Sequence, residues 1–158
     1  FLYQMFRDLV EELLEECLQK RSDLFLIYFE ILDGNKIRIV IDGDSGVLVE
    51  DCMYVSRAIE HNLDRDEQDF SLEVSSAGAT SPIVHQRQYP KHLGRTLKVL
   101  TFEKEKYEAV LTAAKEKHIV LEWKAREPKP IGKGKITVQK KAKISYQDIE
   151  KAQIKLIF

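Results

Sequence analysis

The segment LEVSSAGATSP, Leu72 to Pro82, marks the point at which the character of this 158-residue chain changes. Its first residues alternate between apolar and polar side chains, as a half-buried strand does. Seven small residues, Ser75 to Ser81, then follow without a large apolar side chain among them. Bare backbone after a core strand indicates either a tight turn between domains or a surface left open for a partner.

The two sides of this segment carry opposite charge. Residues 1–84 contain 7 Lys and Arg against 18 Asp and Glu, a net charge of −11, whereas residues 85–158 contain 18 against 8, a net charge of +10. We therefore predict an acidic domain over 1–84 and a basic domain over 85–158. The basic half is expected to attract phosphate or an acidic protein surface, although attraction between the halves would also explain the split.

The first 84 residues predict the element order α-β-β-α-β. Apolar residues recur at i, i+3 and i+4 from Met5 to Leu18, which indicates an amphipathic helix. Leu24 to Ile31 and the alternating stretch Ile37 to Ile41 flank the turn DGN (33–35), as in a hairpin. The remaining elements are a helix over 49–63 and a strand over 70–74. Such elements form a layer of helices on a small sheet.

The residues after Pro82 predict several short strands joined by Gly and Pro loops, which is typical of a small β-barrel. Strands are expected from Thr96 and over 118–124, 136–138, 144–146 and within 153–158. Residues 107–113 fit a strand, although 109–117 also fit a helix. The segment AREPKPIGKGK, 125–135, is predicted to be a loop. The fold class is therefore α+β.

No arrangement of residues typical of a catalytic or metal site is found in the sequence. The stretch Asp42 to Gly46 resembles a calcium loop, but the EF-hand positions that require Gly and Glu hold Val47 and Met53. Ser75 and Ser76 lack the G-x-S-x-G pattern of a hydrolase, and no His with an acid can be assigned to them. We predict neither an enzyme nor a bound cofactor or metal. No apolar run approaches the length of a membrane span.

Two cysteines, Cys17 and Cys52, fall within helical patterns and have no partner at a metal-binding spacing. Buried free thiols of this kind are typical of proteins in a reducing cytoplasm. The sequence therefore predicts two thiols and a cytoplasmic location.

A cluster of cations in the second half is the strongest candidate for a binding surface. It could neutralise several phosphates, although lysines also keep a small barrel soluble and protect its edge strands. Trp123 precedes the cluster, and it could stack on a base or serve as a core or rim residue. The candidate residues are Arg126, Lys129, Lys133, Lys135, Lys140, Lys141 and Lys143.

Taken together, these residues resemble the RimP family of bacterial ribosome maturation factors. The segment DGDSGVLVEDCMYVSRAIEHNLD, 42–64, is similar to a family segment with an Asp-Cys pair and then Ser-Arg, here Asp51, Cys52, Ser56 and Arg57. LEVSSAG, 72–78, is similar to the family hallmark Leu-Glu-Val-Ser-Ser-Pro-Gly. IEKAQI, 149–154, is similar to the C-terminal ending, in which a short turn enters the last strand.

The hallmark departs from the family pattern on its C-terminal side. Ala77 replaces the proline, and Ala79, Thr80 and Ser81 stand where Leu, Asp and Arg are usual, before Pro82 resumes the pattern. Contacts made by that charged pair therefore do not carry over to this chain.

The resemblance implies an N-terminal α/β domain and a C-terminal Sm-like, SH3-type barrel. It also implies a non-catalytic, cytoplasmic protein, expected to be a monomer, that binds the immature small (30S) ribosomal subunit and promotes its late assembly. The expected partners are ribosomal protein and rRNA. Ser75, Ser76, Gly78 and Pro82 are then expected to form a rigid turn that acts as a hinge or contacts the ribosome. The alternative is a free-standing Sm-like RNA-binding protein.

Overall fold

The computed structural model describes residues 2–79 and 81–156, with side chains from Gln4 onward. These residues form two compact units that divide between Gly78 and Ala79, each with its own buried apolar cluster. The division precedes the boundary expected at 84/85. The reason is Ile83, which is buried in the second cluster and whose N–H donates to the Ala152 carbonyl at 2.7 Å.

The first unit has the element order that the sequence predicts. It contains α1 (Leu2–Gln19), β1 (Leu24–Leu32), β2 (Lys36–Gly43), α2 (Val49–Glu60) and β3 (Ser71–Ser76). The sheet order is β1-β2-β3, with β1 antiparallel and β3 parallel to β2. The hairpin turn places Gly34 at φ 78° and Asn35 at φ 55°, residue types that tolerate the left-handed conformation.

The core of the first unit joins both helices to the sheet. On α1 the buried side chains are Phe6, Val10, Leu14 and Cys17, spaced by three or four residues, and they share one cluster with buried residues of β2 and α2. Full burial of a large aliphatic or aromatic side chain contributes about 1.5–3 kcal/mol. Met5 and Leu9 are 57% and 44% exposed, so the buried face of α1 is narrower than its apolar stripe.

The second unit is a five-strand antiparallel sheet. Its strands are β4 (Thr96–Thr101), β5 (Lys106–Ala114), β6 (His118–Pro128), β7 (Lys135–Ser145) and β8 (Ile149–Ile154), in the spatial order β7-β6-β5-β4-β8. The strand at β5 excludes the helical alternative for 109–117. Within 2–79 and 81–156 no pairing joins the outer strands β7 and β8, so hydrogen bonds do not close the sheet into the expected barrel.

The loop predicted over 125–135 is confirmed for 129–134, but 125–128 and Lys135 belong to strands, so the prediction is wrong at both ends. β6 continues to Pro128 and β7 begins at Lys135, with an unbroken register from His118↔Ser145 to Pro128↔Lys135. The expected strands at 136–138 and 144–146 are accordingly one strand, apart from Tyr146. The charged residues and prolines of this segment are typical of a loop. The segment forms a strand because it pairs with residues on the other side of the turn, and a short stretch of sequence does not reveal that pairing.

The C-terminal ending also differs from its expected form. IEKAQI was expected to contain a turn that enters the last strand, but it is itself β8 and pairs along β4, from Leu97↔Ile154 to Thr101↔Ile149. The strand expected within 153–158 therefore ends at Ile154, and residues 157 and 158 lie outside the described part of the chain.

Neither cysteine forms a disulfide, as predicted. The Cys17 thiol is buried and donates to the Leu14 carbonyl at 3.2 Å, and burial raises its pKa. Burial also raises the pKa of Cys52, with a smaller contribution from Asp51. Neither thiol is therefore activated. Among the described residues, no helix is long and apolar enough to cross a membrane.

Candidate nucleic-acid interface

The candidate cations lie on a β-hairpin arm formed by β6 and β7. Pairing between β5 and β6 reaches Val110↔Glu122, whereas pairing between β6 and β7 continues to Pro128↔Lys135. The segments 123–128 and 135–140 are therefore a two-stranded ribbon. Its tip, 129–134, is closed by the Lys129 N–H, which donates to the Gly134 carbonyl at 3.1 Å. Gly132 and Gly134 have φ values of 87° and 92°, which allows this turn.

The register of the hairpin separates its side chains into two faces. Directly opposite residues of an antiparallel pair share a face, and alternate residues along a strand return to it. The face that continues the apolar core includes Trp123, which is half-buried against the core cluster, and its ring centroid lies 5.9 Å from that of Tyr107. This position supports the core or rim role of Trp123 over base stacking. The opposite face, here called the basic face, carries Lys124, Arg126, Lys135, Lys141 and Lys143.

The seven candidate cations do not form a single patch. Arg126, Lys135, Lys141 and Lys143 share the basic face. Lys129 and Lys133 lie in the exposed tip. Lys140 points to the other face and forms an ion pair with Glu127. Lys124 was not among the candidates. It lies between the apolar residues Trp123 and Ala125, and this alternation could have identified it as a residue of the outward face.

Arg126 is held flat along the ribbon. Its Nη1 donates to Thr137 Oγ1 at 3.0 Å, and its Nη2 donates to the Lys135 carbonyl at 3.2 Å. These bonds fix the guanidinium on the basic face. At the other end of the same strands the pKa of His118 is lowered, first by burial and then by the nearby cations Lys143 and Lys115.

The hallmark segment is not the turn expected from its small side chains. Ser75 and Ser76 are the last residues of β3 and pair with Val40 and Ile41, and the Ala77 N–H donates to the Ile41 carbonyl at 3.1 Å. Small residues are compatible with a strand here because a parallel neighbour satisfies the backbone. Ser76, Gly78 and Pro82 are exposed, and Thr80 lies outside the described residues.

Comparison with known proteins identifies the family. Residues 10–80 match the RimP N-terminal domain. The Ribosome maturation factor RimP of Christiangramia forsetii is 53% identical over 98% of this chain and 100% of its own length, and that of Flavobacterium psychrophilum is 49% identical over 97% and 99%. The corresponding protein of Cytophaga hutchinsonii is 29% identical over 94% and 95%. The chain therefore belongs to the RimP family of ribosome maturation factors, which confirms the resemblance drawn from its sequence.

Proposed function

We propose that this protein binds the immature small ribosomal subunit in the cytoplasm and promotes its late assembly without catalysing a reaction. The observation that carries the proposal is the similarity to ribosome maturation factors over both units, at 53% identity and 98% coverage. An assembly factor needs surfaces that recognise an incomplete particle, and the two units offer two surfaces of opposite charge.

The acidic unit is suited to a basic protein partner. The five carboxylates of α1 contribute to the net charge of −11 over residues 1–84; they are Asp8, Glu11, Glu12, Glu15 and Glu16. Ribosomal proteins are generally basic, so electrostatic attraction would steer this unit toward one of them. The same charge would repel exposed rRNA, which favours a division of labour between the units.

The basic face of the ribbon is suited to rRNA. Its cations lie on adjacent strands of one hairpin, where an anionic backbone could contact several at once. Each phosphate that is neutralised releases counterions, which gives binding a steep dependence on salt. If these lysines only keep the domain soluble and protect its edge strands, they do not contact RNA, and their removal should not change the salt dependence of RNA binding. We assign Arg126, Lys135, Lys141 and Lys143 to this contact, together with Lys124, and place Lys129 and Lys133 at its end.

The exposed part of the hallmark segment is the third proposed contact. Ser76, Gly78 and Pro82 present small side chains at the surface, so the backbone is accessible to a partner. Ser75 is half-buried in β3 and is expected to support this segment from the sheet.

Co-sedimentation of the purified protein with immature and mature small subunits, across a salt series, tests the proposal. Preferential binding to the immature particle is the expected result. Equal binding to both particles and to unrelated RNA would favour the alternative of a free-standing Sm-like RNA-binding protein. Absence of binding to either particle would refute the proposed function.

A further inference from the structure

A second group of cations lies on the sheet of the second unit, outside the ribbon. Lys98 of β4, Lys106 of β5 and Lys151 of β8 are exposed and come from three adjacent strands. The sequence does not reveal the group, because its members lie up to 53 positions apart along the chain. The register of the sheet brings them together.

Pairing places these residues in two neighbouring rows. In one row Leu100 has Lys106 on one side and Lys151 on the other. In the next row Lys98 has Glu108 on one side and Gln153 on the other. The rows line a shallow depression of about 510 Å³, and the half-buried Leu100 is among its lining residues.

The depression keeps a net positive charge despite Glu108. The Lys155 ammonium lies 2.6 Å from Glu108 Oε1, and this bond lowers the pKa of Glu108, with a smaller effect from Lys98. The single carboxylate is therefore neutralised by Lys155. Across 2–79 and 81–156, no ion pair joins Lys98, Lys106 or Lys151 to a carboxylate. A phosphate would therefore meet three cations without an ion-pair partner, beside one carboxylate that is already bound by Lys155.

These cations share a face of the sheet with the basic face of the ribbon. Lys106 and Val110 are four positions apart on β5, so their side chains lie on the same side of the sheet. Val110 pairs with Glu122, and Glu122 pairs with Lys141. The opposite side holds the core residues Leu97 and Leu111. The outer face thus carries more cations than acids from β8 to β7. Its acids in the traced rows are Glu108 and Glu122. Its cations are Lys151, Lys98, Lys106, Lys124, Arg126, Lys135, Lys141 and Lys143.

We propose that this outer face binds the backbone of single-stranded RNA, which crosses the sheet from the depression at Lys98, Lys106 and Lys151 to the ribbon. The inference rests on the proposed function and extends its RNA contact to residues that the sequence did not identify. Lysine ammonium groups on flexible stems suit phosphates in an irregular chain. Leu100, between two lysines, offers an apolar contact for a ribose or a base.

The test is binding of a uridine dodecamer to the full chain, measured by fluorescence anisotropy across a salt series. Lys106→Gln with Lys151→Gln removes two cations of the depression. Lys104→Gln with Lys140→Gln is the matched control, because Lys104 already bonds Glu150 at 2.9 Å and Lys140 pairs with Glu127 on the other face. We expect the first variant to lower the slope of log K against log salt by about 1.4, and to lose about 10- to 30-fold in affinity at 0.1 M salt. The control should change little.

Two results would overturn the inference while leaving the proposed function intact. In the first, Lys106→Gln with Lys151→Gln leaves the affinity and the salt slope unchanged, whereas Arg126→Gln with Lys141→Gln weakens binding. This result would confine the RNA contact to the ribbon. The other is absence of dodecamer binding by the unmodified protein when it still co-sediments with the immature subunit.

Discussion

Arg21 Nη2 donates to Asp51 Oδ1 at 2.8 Å, which joins the connection after α1 to the first turn of α2. The second oxygen of Asp51 accepts the Leu48 N–H at 2.8 Å, so the carboxylate also caps the helix. Arg21 lies over the Tyr54 ring, and the Tyr54 hydroxyl donates to the Cys17 carbonyl at 2.7 Å. A residue of the family-like Asp-Cys pair therefore holds the two helices of the first unit in place.

Replacement of Asp51 by Ala should destabilise the first unit in a pH-dependent manner. The pKa of Asp51 is lowered, first by the Leu48 N–H and then by Arg21. A carboxyl group with a lowered pKa in the folded state stabilises the fold above its unfolded pKa of about 4, and this contribution is lost as the pH falls through the folded value. Thermal unfolding should show a lower Tm for the variant at pH 7 and converging Tm values toward about pH 2.

Glu50→Ala is the control for this experiment, since Glu50 also lies in the first turn of α2. The Tm of Glu50→Ala should stay close to that of the unmodified protein at every pH. A difference between Asp51→Ala and the unmodified protein that persists undiminished at the lowest pH would contradict the electrostatic explanation.

Tyr89 should make the second unit sensitive to alkali. Its side chain is buried against Tyr146, with ring centroids 5.3 Å apart, and burial raises the pKa of Tyr89 to about 12. A raised pKa means that the stabilisation is complete below the unfolded pKa of about 10 and is lost as the pH rises toward 12. The loss is on the order of 2–3 kcal/mol.

Urea unfolding between pH 8 and 12 should therefore show a steeper loss of stability for the unmodified protein than for Tyr89→Phe. Equal slopes in the two proteins would show that Tyr89 does not control this transition.

Gly43 is expected to tolerate no side chain. A Cβ at this position, the last of β2, would lie 2.3 Å from the Gly46 carbonyl oxygen, a backbone atom of the turn that follows. Gly43→Ala should cost about 1–3 kcal/mol in the free energy of unfolding, because the turn must shift. Ser45→Ala, at an exposed position of that turn, should remain within about 0.5 kcal/mol. Equal stability of the two variants would refute the steric argument.

Gly78→Val tests the proposed contact of the hallmark segment. Gly78 is exposed, so the larger side chain should leave both units folded and block the approach of a partner. We expect about a tenfold loss of affinity for the immature subunit in co-sedimentation, which corresponds to about 1.4 kcal/mol. Circular dichroism and thermal unfolding verify the fold. Unchanged affinity would refute the proposed contact at Gly78.

The sequence predicts the first unit well, because its signals are local. The spacing of Phe6, Val10 and Leu14 and the alternation of Ile37, Ile39 and Ile41 each appear within one short window, and all of these residues are buried. The family and its function as a ribosome maturation factor were also correct, since their motifs are contiguous.

The candidate site was less predictable, because its geometry depends on pairing between distant segments. Position alone suggested that Lys140 and Lys141 belong to one patch, but strand alternation sends them to opposite faces. Lys106 and Lys151 are far apart in sequence and meet only through their shared neighbour Leu100. Charge composition predicts that a basic surface exists, whereas strand register determines which cations share it.

The adjacent pair Lys140 and Lys141 provides the sharpest test of that register. Lys141→Gln removes a cation from the basic face, so it should weaken binding to the immature subunit about five- to eightfold at 0.1 M salt and lower the salt slope by about 0.7–0.9. Lys140→Gln removes the same charge from the opposite face, where Glu127 already neutralises it, and should leave both quantities nearly unchanged. Because the two variants have the same net charge and lie next to each other, nonspecific electrostatic attraction predicts equal effects. Only a contact with one face of the ribbon predicts different effects for the two variants. Equal losses of affinity would mean that the basic face is not a defined binding surface.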